Sequence, residues 1–199
     1  MFFWRVAMKI KTNQQGQTLK GILVLFACIA IIGVASINVY FRLMERAKVV
    51  NLINQTAIII NSTYAFYKGH PPYDGLNNSI AVLQKLVPAD MIDGKEKIKH
   101  AFKGEVILRA LNSQQGFTLN YRNLPTTACR MLAETNWGNE DSGLKYLFAS
   151  PTKHKIPKNF PKKLLDNEYH VSQLPLSHEE TVSACKCKRN DCSITFIYQ

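Results

Sequence analysis

The cysteines are the residues of this chain whose type and spacing could do chemistry. Four of the five lie far beyond the N-terminal apolar stretch: Cys129, Cys185, Cys187 and Cys192. Four cysteines in an exported domain are typical of a disulfide framework. The alternative is a metal site, but these spacings lack the paired CxxC of structural zinc sites. The sequence therefore favours two disulfides, and of the three pairings that four cysteines permit it selects none.

Catalytic motifs have almost no support in the sequence. There is no GxSxG motif and no phosphate-binding loop, and the histidines form no HExxH motif. A Cys/His nucleophile would need a free exported thiol, which disulfide formation removes. We therefore expect no enzymatic activity, no catalytic residue, no metal and no cofactor. The histidines concerned are His70, His100, His154, His170 and His178.

A group of lysines lies in a proline-rich stretch of the C-terminal half. The ordinary interpretation is a solvated surface, and the functional one is contact with an acidic cell-surface polymer or with DNA. The formal net charge of +11 favours anionic partners in general. The lysines are Lys153, Lys155, Lys158, Lys162 and Lys163.

Composition limits the classes of protein to consider. The chain has 199 residues, of which 46% are hydrophobic and 20% charged, with 10 glycines and 8 prolines. A disordered chain would be less apolar, and a collagen-like chain would have far more glycine and proline. The length predicts one compact domain, with room for an appendage.

The N-terminal region indicates the compartment. Residues 21–41 carry no charge, which is long enough to span a bilayer. Cationic residues precede this stretch and no acidic residue does, so the chain after Phe41 is expected outside the cytoplasm. Three outcomes remain open: a permanent anchor, signal-peptide removal after Ser36, or cleavage after Gly16 that keeps the apolar helix. Cys28, inside this stretch, is expected to be an apolar filler.

A long helix is predicted over residues 18–68, ended by Gly69 and the following prolines. Its first half is apolar on all sides and its second half on one side only. Asn51, Asn54, Gln55 and Asn61 are assigned to the other faces. The apolar stripe is predicted to consist of Val39, Leu43, Ala47, Val50, Ile53, Ala57, Ile60, Tyr64 and Tyr67.

The rest of the chain predicts short elements of both kinds. The fold class is therefore α+β, with a long helix packed on an antiparallel sheet. The pattern first predicts a helix over 76–87, a β-hairpin of 104–111 with 116–122 and a helix over 125–134. A strand over 144–148 and a loop-rich stretch over 150–176 follow. The chain then continues with a short helix capped at Ser177 and a strand over 193–198.

Taken in order, several segments resemble type IVb pilins, in particular prepilins of the PilS kind. Residues 16–19 (GQTL) are similar to a prepilin peptidase site, and residues 67–76 (YKGHPPYDGL) resemble the stretch after the long helix. Residues 117–121 and 124–129 resemble the central strand and the cysteine-bearing helix of these pilins. Cys185 and residues 193–196 resemble the last cysteine and the last strand of these pilins.

The resemblance implies three regions with different roles. Residues 1–16 would be a leader removed by prepilin peptidase between Gly16 and Gln17. Residues 17–41 would be the transmembrane and assembly helix, and residues 42–199 the globular domain. The residues expected to pack in assembly are Leu19, Ile22, Leu25, Phe26, Ile29 and Ile32.

The function implied is that of a structural pilus subunit serving adhesion, conjugation or DNA transfer. Its partners would be other pilin subunits, the prepilin peptidase and the inner-membrane assembly platform. It would lie in the inner membrane before assembly and in an extracellular pilus afterwards. The preferred disulfides join Cys129 to Cys185 and Cys187 to Cys192. The alternative function is a membrane-tethered or secreted periplasmic binding domain that does not polymerise.

Overall fold

The computed structural model describes residues 19–69, 71–111, 115–138, 142–151, 168–170, 173–188 and 191–199. The chain divides into two units, Met1–Met44 and Glu45–Gln199. One helix, α1 (Leu19–Phe66), contains residues of both units. It agrees with the predicted helix to within two residues at each end. Its last turn is closed by the Gly69 amide, which donates to the carbonyl of Tyr64 at 2.7 Å.

The Glu45–Gln199 unit is built on an antiparallel sheet. Among the described residues the sheet has six strands in the order β1-β2-β3-β6-β4-β5. Each neighbouring pair is antiparallel. The strands are β1 (Ile98–Lys99), β2 (Glu105–Ala110), β3 (Phe117–Leu124), β4 (Leu144–Pro151), β5 (Glu168–His170) and β6 (Cys192–Tyr198). A helix packed on an antiparallel sheet confirms the α+β class.

Three short helices lie among the described residues of this unit. They are α2 (Asn78–Leu83), α3 (Thr126–Glu134) and α4 (His178–Ala184), with one turn of 3-10 helix at Ala89–Met91. The predicted α2 is too long at both ends. Asn77 caps it by accepting from the amide of Ile80 at 3.0 Å, and Lys85 ends it in the left-handed region at φ 55°.

Strand β6, the last in the chain, lies in the middle of the sheet between β3 and β4. All seven of its residues are buried. The sequence predicts this strand but not its position. The prediction also missed β5, which lies within the stretch predicted to be loop-rich, and the two-residue β1.

The predicted apolar stripe of α1 is partly wrong. Val50 is 51% exposed, whereas the residues buried against the sheet include Val49, Leu52, Thr56 and Thr63. A threonine is tolerated on this face because its hydroxyl is satisfied within the helix. Thr56 donates to the carbonyl of Leu52 at 2.8 Å, and Thr63 bonds its own helix in the same way.

Gln55 is also placed differently from the prediction. The sequence predicts it on a face other than the apolar stripe, but only 4% of it is exposed. Its side-chain amide donates to the carboxylate of Asp90 at 2.6 Å. The charged acceptor lies on the 3-10 turn, 35 residues further along the chain, and it makes burial of this end of the glutamine tolerable.

Candidate functional site

Two disulfides hold the C-terminal part of the chain. Cys129 on α3 is bonded to Cys185, which directly follows α4, and Cys187 is bonded to Cys192 at the start of β6. The Cα–Cα distances are 5.9 and 5.3 Å. This is the pairing that was expected alongside the family resemblance. The first disulfide joins two helices, and the second closes the short connection into the central strand.

Hydrogen bonds support the same junction between α3 and α4. The Thr181 hydroxyl donates to the Glu134 carboxylate at 2.9 Å, and the His178 ring lies 3.2 Å from the same oxygen. Helix α4 begins with a capping box in which Ser177 and Glu180 bond each other's amides. Hydrogen bonds from Ser177 lower the pKa of the Glu180 carboxyl below its usual value. The disulfide region is therefore a fixed part of the fold.

A metal site is not formed by these residues. Their four thiols are taken up by disulfides. In the parts of the chain that the structure describes, no three His, Cys, Asp or Glu side chains come together in a way that could hold a metal ion.

Aromatic side chains cluster where the C-terminal end of α1 meets the sheet. The Tyr64 ring lies edge-on to Phe117 at 5.5 Å and to Tyr198 at 6.0 Å between centroids. Burial, helped by the nearby Tyr73 phenol, raises the pKa of Tyr64 to about 12. The phenol therefore stays protonated, as a hydrogen-bond donor, throughout the neutral range.

An open groove of about 410 Å³ adjoins this cluster. Its lining comes from α1, from the loop after α3 and from β6, and includes Ile53, Asn61, Tyr64, Asn136, Trp137 and Tyr198. The indole nitrogen of Trp137 donates to the Leu132 carbonyl at 2.7 Å, which fixes the ring. The sequence does not predict this groove. Its local signal is a loop tryptophan that directly follows Asn136.

A second, smaller cavity of about 260 Å³ is polar. It lies between Gln55 on α1, Asp90 on the 3-10 turn and His100 after β1. His100 is 3% exposed. Its Nδ1 accepts from the Phe102 amide at 3.2 Å, so Nε2 is the protonated nitrogen that donates to the Arg122 carbonyl at 2.8 Å. Burial lowers the pKa of the ring, partly offset by the Arg122 bond.

The large apolar side chains that the structure describes in the Met1–Met44 unit are exposed. The described large ones, from Ile22 to Met44, are between 40 and 70% exposed. They include four of the predicted assembly residues: Ile22 at 40%, Leu25 at 60%, Phe26 at 64% and Ile29 at 56%. The free thiol of Cys28 is exposed as well. The described part of the chain therefore leaves these apolar side chains uncovered.

The remaining predicted site residues lie outside the part that is described. This holds for Gly16 and Gln17 at the predicted processing site, and for the side chains of Leu19 and Ile32. It also holds for the lysine group, which is Lys153, Lys155, Lys158, Lys162 and Lys163. A search of the described residues for a helix of membrane-spanning length and hydropathy found none.

Comparison with known proteins finds one family. The PilS family model, described as "PilS N terminal", matches residues 46–144, about half of the chain. The match begins in α1, just after the exposed apolar half, and ends at the first residue of β4. Neither the curated proteins nor the solved structures include a significant match to the chain.

Proposed function

We propose, from the premise that residues 46–144 belong to the PilS N-terminal family, that this chain is a structural subunit of a type IVb pilus. The family is one of structural pilins and not of enzymes. In this proposal the 1–16 segment is a leader, residues 17–41 are the assembly helix and residues 42–199 are the globular domain that the pilus displays.

The observation that carries the proposal is the exposed apolar surface of the first unit. Phe26 and Ile31 are 64% and 70% exposed, and their neighbours are comparable. Leaving such a surface in water costs on the order of 0.8 kcal/mol for each CH₂ group. Exposed apolar surfaces of this extent mark sites of contact with lipid or with other protein chains. The surface therefore calls for a partner that the described part of the chain does not supply.

The proposed partner after assembly is the same helix of other subunits. Identical chains that associate head to tail form a helical filament when the rotation between neighbouring chains does not close into a ring. Before assembly the helix would lie in the inner membrane, because residues 21–41 carry no charge. Cationic residues on its N-terminal side favour an orientation with the globular domain in the periplasm. Cleavage between Gly16 and Gln17 by a prepilin peptidase would precede release into the filament.

The cross-links of the globular domain support this role. Two disulfides and a central C-terminal strand hold its C-terminal part, as expected for a domain displayed in an oxidising, extracellular setting. The lysine group at 153–163 is proposed to contact anionic cell-surface polymers or DNA, which would serve adhesion, conjugation or DNA transfer. Such binding would weaken steeply with added salt.

Mass spectrometry of the mature N-terminus tests the proposal. A chain that begins at Gln17 and dominates sheared surface filaments supports a pilus subunit. A chain that begins at Ile37 has lost the assembly helix, and one that begins at Met1 is a simple anchor. Either of these, or cells from which no filament containing the chain can be sheared, favours the alternative of a periplasmic binding domain.

A further inference from the structure

The groove beside Trp137 has a lining that the filament proposal does not explain. It lies wholly within the Glu45–Gln199 unit, and its volume of about 410 Å³ would accommodate one or two sugar rings. Trp137 and Tyr64 supply aromatic surface, and Asn61, Asn136 and Thr135 supply amide and hydroxyl groups. We propose that this groove binds a neutral saccharide.

The charge of the lining selects a neutral ligand. Every described residue lining the groove is uncharged, although the chain carries a formal net charge of +11. An anionic polymer would require cations, and a cationic ligand would require carboxylates or a cage of exposed rings. Neutral sugars are recognised instead by aromatic rings that pack on the C–H faces of the sugar and by amides and hydroxyls that bond its hydroxyl groups.

The polar groups of the groove have hydrogen-bonding capacity left for a ligand. Asn61 is exposed on α1. The side-chain oxygen of Asn136 accepts from the Gly138 amide at 2.9 Å, which leaves its NH₂ group to donate. The Tyr64 hydroxyl lies 3.5 Å from the Ser142 carbonyl, at the limit of a hydrogen bond. These groups converge from two elements that are more than 70 residues apart in the sequence.

Trp137 is held in place before any ligand arrives. Its indole nitrogen is bonded to the Leu132 carbonyl, and its ring lies edge-on to Phe196 at 5.0 Å. A ring fixed in this way loses little conformational entropy on binding. It is only half buried, so part of its surface remains open to the groove.

The competing occupant is an apolar segment of a second subunit. Ile53 and Ile60 would favour it, since they give the helix side of the groove an apolar floor. Covering the groove with an apolar side chain would bury the Asn61 amide and the NH₂ group of Asn136 away from water, which is costly. A saccharide satisfies these amides and still packs on the aromatic rings.

The test uses the full chain in a detergent without a sugar headgroup, applied to an array of neutral and acidic glycans. Trp4 and Trp137 are the two tryptophans of the chain, so a Trp4→Phe background makes the fluorescence report on Trp137. Neutral oligosaccharides that the array retains are then titrated. We expect a saturable change in Trp137 emission. Asn61→Ala is expected to weaken the affinity about three- to tenfold, the effect of losing one hydrogen bond.

Asn54→Ala is the matched control, because Asn54 is an exposed asparagine of the same helix that does not line the groove. It should leave the affinity unchanged. Retention of acidic glycans alone, or a neutral glycan bound equally well by the Asn61→Ala chain, overturns the proposal. So does an Asn61→Ala chain that changes only self-association in sedimentation, since that would make the groove a subunit contact. None of these outcomes depends on whether the chain forms pili.

Discussion

The hydroxyl oxygen of Thr56 on α1 lies 2.7 Å from the phenol oxygen of Tyr121 on β3. Because Thr56 donates its own proton to the Leu52 carbonyl, Tyr121 is the donor in this pair. Both residues are fully buried, and burial raises the pKa of the tyrosine above its usual value, so the phenol stays protonated. The bond joins the helix to the sheet at the centre of the core.

This direction of donation predicts unequal effects of two substitutions at the pair. Tyr121→Phe leaves Thr56 bonded to Leu52 and should lower the free energy of unfolding by about 0.5–1.5 kcal/mol. Thr56→Val leaves the buried Tyr121 hydroxyl without its acceptor and should cost about 1–3 kcal/mol. Urea unfolding measures both. Equal costs, or a larger cost for Tyr121→Phe, would show that the donor has been assigned wrongly.

The buried ring of His100 predicts a loss of stability in mild acid. Its pKa is lowered in the folded chain, so the unfolded chain binds the proton more readily. The stability that the neutral ring contributes is fully present above the pKa of the unfolded chain, near 6.5. It is lost as the pH falls through that pKa toward the lower pKa of the folded chain. Urea unfolding from about pH 7.5 to about pH 5 should show this slope. His100→Gln should flatten it, and an unchanged slope in that variant contradicts the prediction.

Gly143 is predicted to be irreplaceable because of Tyr64. Gly143 has φ +77°, and a Cβ there would overlap the Tyr64 hydroxyl. Gly75 is the matched control, with φ +71° and open space around it. Gly75→Ala should cost about 1 kcal/mol from backbone strain, and Gly143→Ala about 1–3 kcal/mol more. Adding Tyr64→Phe to the Gly143→Ala chain should recover part of the difference in a double-mutant cycle; no recovery would mean that backbone strain alone sets the cost.

The two disulfides should differ in how much they stabilise the domain. Cys129–Cys185 spans 56 residues and Cys187–Cys192 spans 5. The chain-entropy model gives about 4 kcal/mol for the first and about 2 kcal/mol for the second. Thermal unfolding of the two paired Cys→Ala variants should therefore give the lower midpoint when the long loop is opened. The reverse order would mean that native packing around Cys187, and not loop length, decides the effect.

The exposed half of α1 predicts a defect in assembly without a defect in export. A double variant with Leu25→Ala and Ile29→Ala keeps the helix apolar but removes side-chain volume from the proposed contact between subunits. The amount of chain in sheared filaments should fall severalfold, while the amount in the membrane fraction stays the same. Asn54→Ala, outside the assembly helix, should leave both amounts unchanged. Unaltered filament yield from the double variant would argue against packing through this face.

Much of the local structure follows from the sequence because its causes are local. The Ser177 capping box, the hairpin of β2 with β3 and the α3 helix after Pro125 each depend on residues only a few positions apart. The cysteines likewise restricted the chemistry of the C-terminal region to disulfides or a metal. These features were predicted because neighbouring residues are close together in any fold.

The tertiary structure alone decided which side of α1 is buried and what that side contacts. Apolar spacing selected Val50, yet Thr56 and Gln55 lie inside, since Tyr121 and Asp90 reach them from distant elements. The groove that brings Asn61 to Trp137 arises in the same way. A polar residue in a sequence looks solvent-exposed until its partner is known, and a partner 35 or 65 residues away is supplied only by the folded chain.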